Sequence, residues 1–330
     1  MREENILEIK KLKKFFPIEK GFFKKVVGLV QAVNNVNLSL KKGEVLGVVG
    51  ESGSGKTTLG KCILQATEIT SGEIMFRDTS NNVHNIVHLK KSKLRKLRKE
   101  MNMIFQDPFS SLSPRMTINQ IISEPLRMQN VPKGEIQDRV KILIEKVGLQ
   151  ISHLNRYPNS FSGGQRQRIG IARALSTFPR MIIADEPVSA LDVSIQAQIL
   201  NLLIDIKEEY NLSYLFISHN LNVIEHISDR VVIMYVGKIV EVGTTSQIYN
   251  SPKHPYTKAL LSALPQPEPD SKYNPEILHG EVANPSNPPS GCHFHPRCSI
   301  SSEMCRKITP ELKDFGNGHM SACFFSEKLG

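Results

Sequence analysis

Long apolar runs are missing from this chain. No stretch of its 330 residues approaches the roughly eighteen uninterrupted apolar positions of a membrane-spanning helix, so none is expected to cross a bilayer. The opening Met1-Arg2-Glu3-Glu4-Asn5 mixes both charges and leads into no apolar signal-peptide core. A cytosolic chain is expected, one that docks on a membrane protein at most. The guanine-recognition pattern Asn-Lys-x-Asp is absent, so a GTPase is not expected. No repeat of solenoid period occurs. Cysteine is scarce until the end: of five, four (Cys292, Cys298, Cys305 and Cys323) fall within the last forty residues. A reducing cytosol argues against disulfides as their purpose. The remaining one, Cys62, is read as a buried structural thiol.

The length allows one large α/β domain with a smaller one beside it. The formal net charge is +10, and Lys90 to Lys99 holds seven basic residues in ten. No aromatic side chains interleave with those charges, which favours a solvated helix face, with Leu94 and Leu97 turned inward, over a nucleic-acid patch.

The strongest local signal is Gly50-Glu51-Ser52-Gly53-Ser54-Gly55-Lys56-Thr57, which fits G-x-x-x-x-G-K-[ST] and follows the apolar run Val45 to Val49. A buried strand, a glycine-rich turn and a helix form the setting in which this pattern binds nucleotide phosphates. The glycines let successive N–H groups point at phosphate oxygens, and the helix N-terminus adds its positive dipole end. Lys56 is expected to reach the β- and γ-phosphates, and Thr57 to coordinate Mg²⁺, with Thr58 beside it.

Further along, Asp107 to about Phe178 reads as helical. Met181 to Ala184 is a strand-length apolar run that stops at Asp185-Glu186-Pro187. Ser194 is the expected cap of an amphipathic helix carrying Ile195, Ile199, Leu203 and Ile206. Tyr214 to Ile217 is a second buried strand, ending at Ser218-His219. Val231 to Tyr235 and Ile239 to Val242 read as a closing hairpin. Alternating strands and helices imply a largely parallel sheet with ligands at the strands' C-terminal ends. After about Asn250 the composition shifts: eleven of the nineteen prolines lie between Pro252 and Pro310. Pro265-Gln266-Pro267-Glu268-Pro269 reads as a stiff connector.

Three elements narrow the class: Phe161-Ser162-Gly163-Gly164-Gln165 heading a basic helix, Asp185-Glu186 followed by Ser189-Ala190-Leu191-Asp192, and His219. With Gln106 in Phe105-Gln106-Asp107-Pro108, they resemble the ABC-transporter ATPase set in order and spacing. The resemblance implies an α/β fold, a P-loop NTPase of ABC type. It has a RecA-like core, an N-terminal antiparallel β-subdomain and an inserted helical subdomain, with a small Cys- and Pro-rich C-terminal region appended here. The domains are read as 1–250 for the ATPase, with its helical subdomain at about 107–178, and 251–330 for the tail.

The implied roles follow. ATP is bound by Gly50, Ser52, Gly53, Ser54, Gly55, Lys56, Thr57 and Thr58. Phe16 stacks on adenine, with Phe15 as its rival. Ser162, Gly163, Gly164 and Gln165 cover the nucleotide of an opposite subunit. Mg²⁺ is held by Thr57, Gln106 and Asp185. Glu186 deprotonates the attacking water, Gln106 touches metal and water, and His219 senses the γ-phosphate. Residues 17 to 31 look like an insertion ahead of the usual strand.

Finer likeness comes from Gly50-Glu51-Ser52-Gly53, from Phe105 to Leu112, from Ser251 to Thr257, and from Asn287 to Cys298. These look like the oligopeptide/dipeptide importer ATPases and their nickel-transporting relatives. The resemblance implies a second ATPase subunit, two transmembrane permease subunits and an extracytoplasmic substrate-binding protein. It also implies a place at the cytoplasmic face of the membrane and no nucleic acid. Nickel cargo is the alternative, and a soluble ABC protein acting on ribosomes or nucleic acid is a more distant one. The tail cysteines are spaced C-x₅-C-x₆-C-x₁₇-C without a tight zinc-type pair, which suits an iron–sulfur centre better. Related ATPases imply a [4Fe-4S] cluster at Cys292, Cys298, Cys305 and Cys323, offset by Arg297, Arg306 and Lys307. Zinc using some of His293, His295 and His319 is the runner-up.

Overall fold

The computed structural model describes residues 1–264, 278 and 280–329. The chain opens with two long strands, Asn5–Lys20 and Lys25–Lys41, joined by a tight turn in which the Lys24 N–H donates to the Gly21 carbonyl (3.1 Å). They belong to a four-stranded sheet ordered Lys25–Lys41, Asn5–Lys20, Ser71–Arg77, Val83–Asn85. The Lys-, Gly- and Val-rich segment read as an insertion is therefore the outer half of a hairpin. At the tip Phe22 and Phe23 are exposed and packed edge to face.

Beyond that sheet the chain divides into two compact units. The first consists of Met1–Leu7, Leu40–Glu44 and Met75–Ile217. Its strands Met101–Ile104, Met181–Asp185 and Ser213–Ser218 run parallel, with Met101 opposite Met181 and Met181 opposite Ser213. The two later strands are buried at every position, as continuous apolar runs in a covered parallel sheet should be. Helices Ile118–Met128, Lys133–Lys146 and Gly163–Leu175 form the expected helical segment. Thr117 and Gln120 make a reciprocal capping box at the first of them. Gly148, at φ +73°, ends the second.

Helix Val193–Tyr210 starts one turn position before its expected cap. Asp192 holds the extended N-cap conformation there, so Ser194 falls inside the first turn. The basic run forms helix Lys91–Leu97, with Leu97 buried and its lysines facing solvent.

The second unit consists of Glu8–Ser39, Val45–Ile74 and the chain from Ser218 onward. Its sheet is mixed. Val45–Val49 pairs parallel with Arg230–Tyr235, which pairs antiparallel with Lys238–Thr244. Two short tail strands, Met320–Ser321 and Lys313–Asp314, extend it. A bulge between Ile239 and Glu241 breaks the register of the hairpin. Beside it the fully buried Glu241 carboxylate accepts from the Lys253 and His254 N–H groups (2.6 and 3.0 Å) and pairs with the His319 ring (2.8 Å). One carboxylate thus pins two segments of the tail to the sheet. Pro265 to Pro269, the expected connector, lies outside the described residues.

Candidate functional site

In the second unit the glycine-rich turn leaves the strand Val45–Val49 and enters helix Lys56–Ile63. Its glycines are required by space as well as by torsion. A Cβ on Gly50 would lie 2.2 Å from the Met234 carbonyl oxygen, and one on Gly55, at φ +102°, would lie 2.0 Å from that of Ala32. The Lys56 ammonium folds back over the turn and donates to the carbonyls of Gly50 and Glu51 (2.6 and 3.0 Å) and to the Ser54 hydroxyl (3.4 Å). The cation is therefore held within the turn, beside the N-terminus of helix Lys56–Ile63, a setting that suits a polyphosphate. Thr57 and Thr58 are on the first turn of the helix. Cys62, on the same helix, is buried, and burial pushes its thiol up to about 11.

Phe16, on the first long strand, is partly exposed, with the Lys14 ammonium 4.5 Å from its ring centre. The Phe15 N–H donates to the Thr70 hydroxyl (2.9 Å). His219 is exposed in this unit, directly ahead of Asn220, whose side chain caps helix Leu221–Ile227.

The first unit carries the carboxylates. Asp185 closes a buried strand and is itself buried. Glu186 adopts a left-handed backbone conformation (φ +47°), which costs a non-glycine residue about 1 kcal/mol or more. Its N–H donates to the Ile217 carbonyl (2.9 Å), and its carboxylate accepts from the Gln106 amide (3.0 Å). Two residues eighty positions apart thus meet. Asp107, next to Gln106, accepts from the Phe109 and Ser110 N–H groups (2.8 and 3.2 Å); the Ser110 hydroxyl first, then these N–H groups, hold its carboxyl below the usual range.

Ser162 caps helix Gly163–Leu175 in a box with Gln165. A Cβ on Gly164 would come 2.6 Å from a methyl of Ile195, so a larger residue there would have to displace that side chain. The N–H groups at this helix start form a second anion-type surface.

The tail supplies a feature of another kind. Cys292, Cys298, Cys305 and Cys323 line one cavity together with Phe294 and Phe325. Burial raises the thiols of Cys292, Cys298 (to about 11) and Cys323, and mutual repulsion among the four adds to the shift. The Phe325 N–H points at the Cys323 sulfur (3.3 Å), and the Ser302 hydroxyl lies 3.5 Å from that of Cys305. A single ion needs its donors at bonding distance from one point, and among the described residues no three His, Cys, Asp or Glu side chains offer that. A cluster sets a separate iron against each thiolate, so its ligands ring a volume. The four sulfurs do line one cavity.

The zinc alternative fares less well. Of its three histidines only His295 lines the cavity, while His293 bonds to the Val236 carbonyl (3.1 Å) and His319 to Glu241 (2.8 Å). The cations expected to offset the centre are also placed otherwise. Arg297 is paired with Glu51 and Lys307 with Glu303, while it is Lys238 that interacts electrostatically with Cys292.

Comparison with known proteins agrees with this geometry. Residues 33–189 match the model of the ABC transporter family, and residues 240–305 match that of the oligopeptide/dipeptide transporter C-terminal region. The oligopeptide transport ATP-binding protein AppF of Bacillus subtilis (strain 168) is 50% identical over 325 residues, covering 97% of each chain. This chain belongs to the ATP-binding subunits of oligopeptide/dipeptide ABC transporters. The dipeptide transport ATP-binding protein DppF of Haemophilus influenzae is 46% identical over 314 residues, covering 95% of this chain and 94% of that one. Two solved structures of the ATP-binding cassette MJ0796, both dimeric and one bound to ADP and phosphate, are 28% and 29% identical. Each covers 72% of this chain and 98% of its own, with a TM-score of 0.62.

The fold is accordingly that of an ABC ATPase, and ATP hydrolysis is the activity of the family. The first match takes in the glycine-rich turn, Gln106, the Ser162 turn and Asp185-Glu186; the second takes in Cys292, Cys298 and Cys305. Among the described residues no helix is long and apolar enough to cross a membrane.

Proposed function

We propose that this ABC ATPase powers the import of di- and oligopeptides through two transmembrane permease subunits, working at the cytoplasmic face of the membrane. An extracytoplasmic binding protein would deliver the cargo to that permease. The observation that carries the hydrolytic half of this reading is the Glu186 carboxylate, set one residue beyond the metal-side Asp185 and hydrogen-bonded by Gln106. The likeness to peptide-transport ATPases along nearly the whole chain, tail included, supports the cargo.

The residues take these roles. Gly50, Ser52, Gly53, Ser54, Gly55, Lys56, Thr57 and Thr58 hold the triphosphate, and Phe16 stacks on adenine. Thr57, Gln106 and Asp185 hold Mg²⁺. Glu186 takes the proton of the attacking water, and His219 senses the γ-phosphate. Ser162, Gly163, Gly164 and Gln165 act on the nucleotide of a second ATPase subunit, as the dimeric relatives suggest. The segment Asp107 to Leu126, with Phe109 exposed, meets the permease. Residues 1–250 work as the ATPase and 251–330 as its tail. A [4Fe-4S] cluster held by Cys292, Cys298, Cys305 and Cys323 would supply cross-links, and so folding energy, to a region poor in aliphatic side chains.

Glu186→Gln tests the hydrolytic assignment. ATP affinity should stay within about threefold of wild type while turnover falls at least about a hundredfold. Turnover at the wild-type rate would remove Glu186 as the base.

A further inference from the structure

The phosphate-binding turn contains an acid, Glu51, at its second position. A free carboxylate there would oppose an incoming triphosphate. The structure gives it a cation from the far end of the chain. The Glu51 carboxylate accepts two parallel bonds from the Arg297 guanidinium (2.7 and 3.1 Å), across 246 positions of sequence. Arg297 stands between Cys292 and Cys298, and its side chain is only 7% exposed. Its guanidinium also lies over the Tyr235 ring (5.9 Å).

The backbone of Glu51 is held as well. Its N–H donates to the hydroxyl of Tyr256 (3.0 Å), a fully buried residue packed against Tyr235 (4.8 Å) and Phe294 (5.3 Å). Phe294 belongs, like Arg297, to the stretch between Cys292 and Cys298, and it lines the cysteine cavity. Lys56 meanwhile takes the Glu51 carbonyl from within the turn (3.0 Å). Amide, carbonyl and carboxylate of one residue are all tied, two of the three by residues beyond position 250.

We propose that Arg297 is a positioning residue of the nucleotide site: it neutralises and anchors Glu51, so that the cysteine-rich tail sets the shape and charge of the phosphate-binding turn. The proposal rests on reading that turn as the ATP site. Fork-to-fork pairing of a guanidinium with a carboxylate fixes direction as well as charge, which an exposed lysine would not do. Folding of the cysteine loop is then read out as ATP affinity.

The test is ATP binding by calorimetry in Mg²⁺, with the full-length protein carrying Arg297→Ala, Glu51→Gln, both changes together, or Lys56→Ala. Arg297→Ala should weaken ATP binding about tenfold, because it leaves the carboxylate uncompensated beside the phosphates. It should raise KM for ATP more than it lowers kcat. Removing the acid as well, in the double variant, should recover affinity to within about threefold of wild type.

A double variant as weak as Arg297→Ala would overturn the proposal, since a merely structural arginine gains nothing from the loss of Glu51. Unchanged affinity in Arg297→Ala would overturn it too, provided Lys56→Ala still abolishes binding. If Lys56→Ala also binds normally, the ATP-site reading itself fails. Should Arg297→Ala unfold the tail, Arg297→Lys keeps the charge without the fork and should give an intermediate affinity; wild-type affinity there would exclude the bidentate role.

Discussion

Glu186 and Gly55 show how single residues carry this site. The left-handed backbone of Glu186 turns its carboxylate out of the strand direction and toward Gln106, at a cost borne by the bonds around it. Gly55 needs both a positive φ and the absence of a Cβ, since the Ala32 carbonyl occupies that space. Gly55→Ala should therefore destabilise the protein by about 3 kcal/mol and lower Tm by roughly 4 °C. Scanning calorimetry would measure this, and an unchanged Tm would show that the turn relaxes freely. The glycine-rich pattern, Asp185-Glu186 and Ser162 to Gln165 were legible because each is a short pattern with its own chemistry. The tie between Glu51 and Arg297 was not. The sequence showed an acid in a phosphate turn and an arginine in a cysteine loop, and only the fold joins positions so far apart.

At the level of strands and helices the buried runs were the easiest to read. Met181 to Asp185 and Ser213 to Ser218 are apolar nearly throughout, and a covered parallel strand has no other pattern. Helix ends were harder: Asp192 and Ser194 are both fair caps, and the choice is made by how the chain leaves the preceding turn. The hairpin formed from the supposed insertion escaped notice because its outer half faces solvent, so no apolar alternation marks it.

The cysteine loop is an element of a third kind, short of regular structure and wrapped around four sulfurs. Protein purified without oxygen should contain about four irons per chain and be brown. Cys298→Ser should lose iron and make the tail more sensitive to protease. Stoichiometric zinc with no iron would contradict the cluster.

For the molecule as a whole, the proposed role of Arg297 makes the tail and the phosphate-binding turn one functional system. Part of the chain's net charge of +10 lies on exposed faces such as that of helix Lys91–Leu97. What the sequence alone left open is the cargo, because the short patterns with chemistry of their own concern the nucleotide. The most direct measurement is uptake of labelled peptide and of nickel by cells lacking this chain, complemented with wild type or Glu186→Gln. Peptide uptake should vanish in the deletion, return with wild type and stay absent with Glu186→Gln, while nickel uptake is unaffected throughout. Peptide uptake that persists without the chain, or a defect confined to nickel, would contradict the account.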